Sequence, residues 1–181
     1  MAFRKFDEYK NRLVKDSFAR AERFEVTVLS NYLDTNAQVD FQLFCEEVQI
    51  PGAILSNKEF NIGPWTFFRN TKLGFLGNEI NFTFLTTGDW HLRGQCEQWI
   101  DACVNAKSQE VAFPEDIYAT VLIDCLDMQN NLTRRWTLHE AMPKVLNLVP
   151  LSHGTTSAVR NTLIMSAAYW ESEDLKSIAS G

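Results

Sequence analysis

Ten large apolar residues occupy a glycine-broken segment between two stretches that alternate like β-strands. Around the first stretch, Asp40 to Ile50, apolar side chains fall on odd positions (Val39, Phe41, Leu43, Cys45) and then on even ones (Val48, Ile50). Strand side chains alternate between faces, so the change of parity predicts one extra residue, a bulge near Glu46-Glu47. Pro51 has no N–H to give a ladder and Gly52 tolerates positive φ, so the strand should stop there and the chain turn outward. The second strand is Glu79 to Leu85. Between them, Ala53 to Asn78 carries Gly63-Pro64, Gly74 and Gly77 beside Ile54, Leu55, Phe60, Ile62, Trp65, Phe67, Phe68, Leu73, Phe75 and Leu76. A solvated loop does not normally hold so many large apolar groups, so this is either a hidden part of the core or an arm meant for another molecule. Poor periodicity and frequent glycines favour the arm.

The 181 residues suit one domain spanning 1–181, long enough to bury roughly 70% of the unfolded surface. Thirteen Phe and five Trp predict an aromatic core together with surfaces that want partners. Seventeen basic against 23 acidic residues give a net charge of −6, which argues against a domain that clamps nucleic acid. No apolar run approaches the ~20 residues of a membrane span, and Met1 to Lys5 leads into a charged helix rather than a signal peptide. Cys45, Cys96, Cys103 and Cys125 form no CxxC pair and lie in apolar contexts, as reduced packing thiols do.

Taken in order, Phe3, Phe6, Leu13, Val14 and Phe18 mark a narrow apolar stripe on an N-terminal helix over about 3–20. Phe24 to Leu29 alternates as a strand, and Asp34-Thr35-Asn36 reads as a polar turn that pairs it in a hairpin with the strand at Asp40. After the Glu79–Leu85 strand, Thr87 or Asp89 is placed to cap an internal helix over about 90–106. Its apolar face is Leu92, Cys96, Trp99, Ile100 and Cys103. Lys107 to Pro114 reads as a linker and Ile117 to Cys125 as a central strand. A return strand follows from Thr133 to Glu140, ended by Pro143, and a last long strand runs from Ala158 to Trp170. The tail over about 172–181 should fray. Six or seven strands with two helices make a mainly β (α+β) chain. Two packed antiparallel sheets should form a small barrel or sandwich with a flanking helix.

Motifs for chemistry are missing. His91, His139 and His153 have no HExxH partner, and no GxSxG, Walker loop or GxGxxG occurs. Glu46-Glu47 and Asp124 with Asp127 are carboxylate pairs of the kind that strands and turns hold without catalysis. No catalytic residue, metal ligand or cofactor is therefore expected.

Several features in order resemble one family. They are Ala19-Arg20-Ala21-Glu22-Arg23-Phe24-Glu25-Val26, Val48-Gln49-Ile50-Pro51-Gly52, Asn61-Ile62-Gly63-Pro64, Asn81-Phe82-Thr83-Phe84, Gln98-Trp99, Glu140-Ala141-Met142-Pro143 and Ala167-Ala168-Tyr169-Trp170. Together, over about residues 3–171, they are similar to the tail tube proteins of contractile-tailed bacteriophages. What the resemblance implies is a structural subunit rather than an enzyme, whose hexameric rings join sheets across subunits and stack into a tube that conducts DNA during ejection. Ala53 to Asn78 would be the extended hairpin arm between rings, with Ile54, Leu55, Phe60, Ile62, Trp65, Phe67, Phe68, Leu73 and Phe75 as its contact residues. The polar positions of the flanking strands, Glu46 or Glu47, Gln49, Glu79 and Asn81, would face the lumen.

The same resemblance implies sheath, baseplate and tail-terminator proteins as partners, DNA that passes without specific binding, no membrane, and a place in the virion tail after assembly in the host cytoplasm. A baseplate tube-initiator ring or a tube terminator is the nearest alternative. From a different class, a monomeric ligand-binding β-barrel would use the same aromatics to line a pocket.

Overall fold

The computed structural model describes residues 5–6, 8, 10–11, 19–76, 79–154 and 157–174. Nine strands and three helices follow in the order β1 (Phe24–Leu29), α1 (Thr35–Phe44), β2 (Cys45–Val48), β3 (Gly52–Ile62), β4 (Trp65–Leu76), β5 (Glu79–Leu85), α2 (His91–Cys103), α3 (Pro114–Ile117), β6 (Ala119–Leu126), β7 (Leu132–Leu146), β8 (Arg160–Ser166) and β9 (Tyr169–Asp174), counted among the described residues. The helix expected over 3–20 falls largely outside them; its described positions, Lys5, Phe6, Glu8, Lys10 and Asn11, are helical.

All strand pairings are antiparallel. The first half of β7 pairs with β6, which pairs with β1; its second half pairs with β8, which continues through β5 to β2. The two sheets, mainly β as expected, therefore share β7 and do not close into a barrel. β8 and β9 run end to end along one side of β7: His139↔Tyr169 and Met142↔Ser166 keep the same register, and the Ala168 N–H reaches the His139 carbonyl at 3.2 Å across the gap. The expected last long strand is thus one strand with a break at Ala167-Ala168.

Three expectations need correction. Residues 35–44 are a helix, not the first half of a strand, so β1 forms no hairpin with it and pairs with β6 instead. Asp34 decides this locally: its carboxylate accepts the Ala37 N–H at 2.7 Å, an N-cap that starts a helix where a turn was read. Apolar residues at every second position are also compatible with one helical turn on each face. Ala37 and Phe41, four apart, are buried, while Val39 and Leu43 are exposed. The bulge is where parity placed it, between Cys45 and Glu47 of β2 against β5.

The second correction is β7, which runs through Pro143 to Leu146. The ladder shifts register between Pro143 and Val145, and such an irregularity is where a strand accommodates a residue without an N–H. Just before it, Glu140 has φ +53° in a bulge where Leu138 and Ala141 face Val121 and Ala119. This left-handed residue lies where β7 passes from one sheet to the other. Third, the linker at 107–114 ends in the single-turn helix α3, begun by Pro114.

The core lies between the sheets and under the helices. Phe41 of α1 packs edge-on to Phe82 at 5.9 Å between ring centroids and tilted against Phe84 at 5.4 Å. Leu92, Cys96 and Trp99 of α2 are buried as their spacing predicts, and the Trp99 indole donates to the Ile117 carbonyl at 3.0 Å. Val26, Val28, Val121, Ile123, Leu138, Ile80, Leu163 and Met165 complete it from the strands.

Candidate assembly surfaces

β3 and β4 form a two-stranded ribbon separate from both sheets, paired from Gly52↔Leu76 out to Ile62↔Trp65. Its turn is Gly63-Pro64, with Gly63 at φ +60°, the positive φ that two-residue hairpin turns require at their first position. An added Cβ at Gly74 would lie 3.0 Å from Ile54 Cγ2, so glycine there lets Ile54 cross the ribbon. The excursion is therefore a regular hairpin. Its periodicity looked poor because Ser56 pairs with Lys72 and Asn57 with Asn70, which leaves Thr71 as an extra residue and reverses the faces midway.

Beyond that bulge the ribbon has two unlike faces, because directly opposed residues share a side. Phe60↔Phe67 and Ile62↔Trp65 make one face apolar at the tip, with Lys58↔Arg69 behind them. The Lys58 ammonium lies 5.5 Å from the Phe60 ring centroid, in cation–π contact. Asn57↔Asn70, Asn61↔Thr66 and Glu59↔Phe68 make the other face polar except for Phe68, and the Thr66 hydroxyl donates to the Asn61 side-chain oxygen at 2.8 Å. Trp65, Ile62 and Phe68 are 69%, 68% and 67% exposed. Ile54, Leu55, Phe60, Phe67 and Leu73 are exposed as well, Leu55 opposite Leu73; the side chain of Phe75 lies outside the described residues.

The second surface is the outer face of β2, β5, β8 and late β7. Since Ile80, Phe82 and Phe84 point inward, Glu79, Asn81 and Thr83 point out, beside Glu47, Thr162, Ile164 and Ser166. Glu46 is exposed too: the bulge brings its carboxylate to Arg160, whose Nε donates to it at 2.7 Å. That hydrogen bond holds the Arg160 guanidinium above its usual pKa. Glu79 accepts from the Lys144 ammonium. Gln49 is exposed and continues past β2, its N–H reaching the Asn81 carbonyl at 3.3 Å. The five named positions thus share one region, with two cations the sequence did not single out. Arg160 and Lys144 lie 114 and 65 residues from their partners, so no local pattern could have paired them.

The third feature is unpaired strand edge. Among the described residues, the free edges within the sheets are β1, the outer side of β9, β2 and the late half of β7. Such edges recruit other chains unless they are blunted.

Among the described residues no group of three His, Cys, Asp or Glu is arranged to hold a metal ion, and no helix is long and apolar enough to cross a membrane. All four cysteines are free thiols. Burial pushes Cys45 and Cys96 up to about 12 and raises Cys103 and Cys125, the direction expected of packing groups.

No curated protein matches the chain. Among solved structures it is similar to a chain of the anti-feeding prophage baseplate (TM-score 0.66, 16% identity, covering 89% of this chain and 99% of that one). It is also similar to one of an extracellular contractile injection system sheath-tube complex in the extended state (TM-score 0.62, 12% identity, 91% and 97% covered), and to one of the anti-feeding prophage tube-terminating cap (TM-score 0.64, 12% identity, 88% and 93% covered). At such identities these likenesses speak for the fold. The family described as phage tail tube protein matches residues 14–172, nearly the whole chain, and the chain belongs to that family.

Proposed function

We propose that this protein is the repeating subunit of a phage tail tube, in which rings of six subunits stack and enclose a channel for DNA. Its family consists of structural tail components rather than enzymes. The observation that carries the proposal is the projecting ribbon, whose apolar tip is largely exposed among the described residues and suits burial against a second copy. The free edges of both sheets support ring closure, since strands added edge to edge across subunits would satisfy backbone groups that a monomer leaves open. Two contacts of different chemistry then divide the work. Backbone pairing sets the ring, and the aromatic arm sets the stack.

The outer face of β2, β5 and β8 is our candidate lumen. Three glutamates, Glu46, Glu47 and Glu79, stand there with two cations, Arg160 and Lys144, and the remaining side chains are mainly Asn, Thr and Ser. A weakly acidic wall of this kind gives a polyanion nothing to hold. Sheath, baseplate and terminator proteins would be the tube's partners, with assembly in the host cytoplasm before the virion is complete.

A ring at the tube's baseplate end or at its terminus is the nearest alternative, and likeness to solved structures does not separate it from a tube-body subunit, because baseplate, sheath-tube and cap chains score alike. The test is electron microscopy of the purified protein. Long tubes support a tube-body subunit, and single rings that never elongate support an end ring. A monomeric ligand-binding barrel is disfavoured by the packing of Phe41, Phe82 and Phe84 on one another rather than around a cavity.

A further inference from the structure

Two segments far apart in sequence meet at the root of the arm. Trp170 of β9 is half-buried on the core side, opposite Leu138 of β7, and its indole N–H donates to the Gly52 carbonyl at 3.2 Å. Gly52 is the first residue of the ribbon, follows the buried Pro51, and pairs with Leu76 at the ribbon's other leg. Among the described residues, the ribbon beyond its root packs chiefly on itself. A two-stranded ribbon fixed only at its base turns as a lever about that base, so whatever holds Gly52 sets the direction of a tip eleven residues away.

We propose that Trp170 is the positioning residue of the arm: its N–H bond to the Gly52 carbonyl fixes the angle at which the ribbon leaves the body and ties that angle to β9. This rests on the arm being an assembly element. β9 pairs with β7 on one side and, among the described residues, with no strand on the other. A neighbouring strand on that edge would steady Trp170 and, through it, the arm root. Ring closure would then prepare the arm for stacking, so that arms are aligned on rings and less so on single subunits. The indole does this through one atom; its ring meanwhile packs on the core, and the two contributions can be separated chemically.

Two variants of the full chain remove the donor: replacement of Trp170 by benzothienylalanine, an isostere with sulfur in place of N–H that keeps the bicyclic ring, and Trp170→Phe, which keeps an aromatic ring of smaller size. Hydrogen exchange on the unassembled protein is the first readout. Faster exchange confined to the arm root, residues 52–55 and 73–76, with β6 and β7 unchanged, is the expected result. Exchange that rises in β7 and β9 and not at the arm root overturns the proposal, because Trp170 would then serve packing alone. Electron microscopy is the second readout. Both variants should form rings as the wild type does but need about five-fold more protein before tubes appear, the equivalent of one neutral hydrogen bond per subunit. Tube onset and length equal to wild type also overturn it. If the wild type itself never stacks, the tube reading fails, and the exchange pattern still decides whether Trp170 positions the arm.

Discussion

Arg160 on β8 reaches across β5 and donates from Nε to the Glu46 carboxylate on the edge strand β2 at 2.7 Å. The bulge between Cys45 and Glu47 is what brings Glu46 to that side while Glu47 stays opposite Thr83. Glu79 is likewise matched by Lys144, whereas Glu47 forms no ion pair among the described residues. Exposed pairs of this kind add little stability. Their effect is on the field, and in a sixfold tube it would be repeated in every ring.

If this face lines the tube, charge there should be most sensitive at Glu47. Changing Glu47 and Glu79 to Lys should let tubes assemble yet slow DNA release, more at low ionic strength than at high. A protein with six to ten phosphate contacts changes affinity by roughly 10³–10⁵ between low and moderate salt, and one added cation per subunit would supply such a set in each ring. Ejection kinetics measured across salt concentrations check this. Unchanged kinetics would remove these residues from the lumen.

Loss of the arm should spare the fold. Replacing residues 56–77 by a short Gly/Ser turn removes a ribbon whose apolar tip already faces solvent, so the protomer should keep native-like circular dichroism and form no stacked tubes. Unfolding of the shortened chain would place the segment in the core.

The thiols should be slow to react. With Cys45 and Cys96 pushed up to about 12 by burial, both stay protonated near neutral pH, and alkylation should quicken only as the pH climbs toward that value. Reductant should leave the melting of assembled tubes unchanged. Tubes that fall apart in reductant would instead reveal disulfides between subunits.

Phe41 and Leu43 decide between helix and strand. Two apart, they would share a face in a strand; in α1 Phe41 is fully buried against Phe82 and Phe84 while Leu43 is 68% exposed. Phe41→Ala should cost about 3–5 kcal/mol, as large aromatic truncations in cores do, and Leu43→Ala should change stability by less than about 0.5 kcal/mol, as surface substitutions do. Equal losses in denaturant titrations would contradict the helix.

Asp34 should contribute in a pH-dependent way. Its hydrogen bond from the Ala37 N–H, and next its contact with His91, hold its carboxyl below the ordinary value of 3.8. A carboxyl depressed on folding stabilises above its unfolded pKa, and the contribution fades as pH falls through the folded value. Asp34→Ala should thus lower the melting temperature at pH 7 and much less below pH 3. An equal loss at both would assign its effect to something other than the ionised cap.

Where one face of an element is buried, the sequence was legible. Ile80, Phe82 and Phe84 gave β5 its inward face, and Leu92, Cys96 and Trp99 gave α2 its own. The change of parity located the β2 bulge correctly even though the residues before it are helical. Residues 35–44 misled because Val39 and Leu43 are apolar and exposed, so their alternation marks surface rather than core. The run of β7 past Pro143 is not legible, because proline usually ends a strand and only tertiary pairing shows a register shift there. Of the candidate surfaces, the exposed apolar hairpin could be read from its own residues. Arg160, Lys144 and the Trp170–Gly52 bond could not, since each depends on a fold that brings distant segments together.

Electron microscopy of the purified protein, paired with light scattering over a range of concentrations, bears most directly on whether this chain builds a tube. Stacked sixfold rings, with the 52–76 ribbons crossing each ring-to-ring junction, are the expected result. A single species of 20.8 kDa at every concentration, with no ring on the grid, would contradict it.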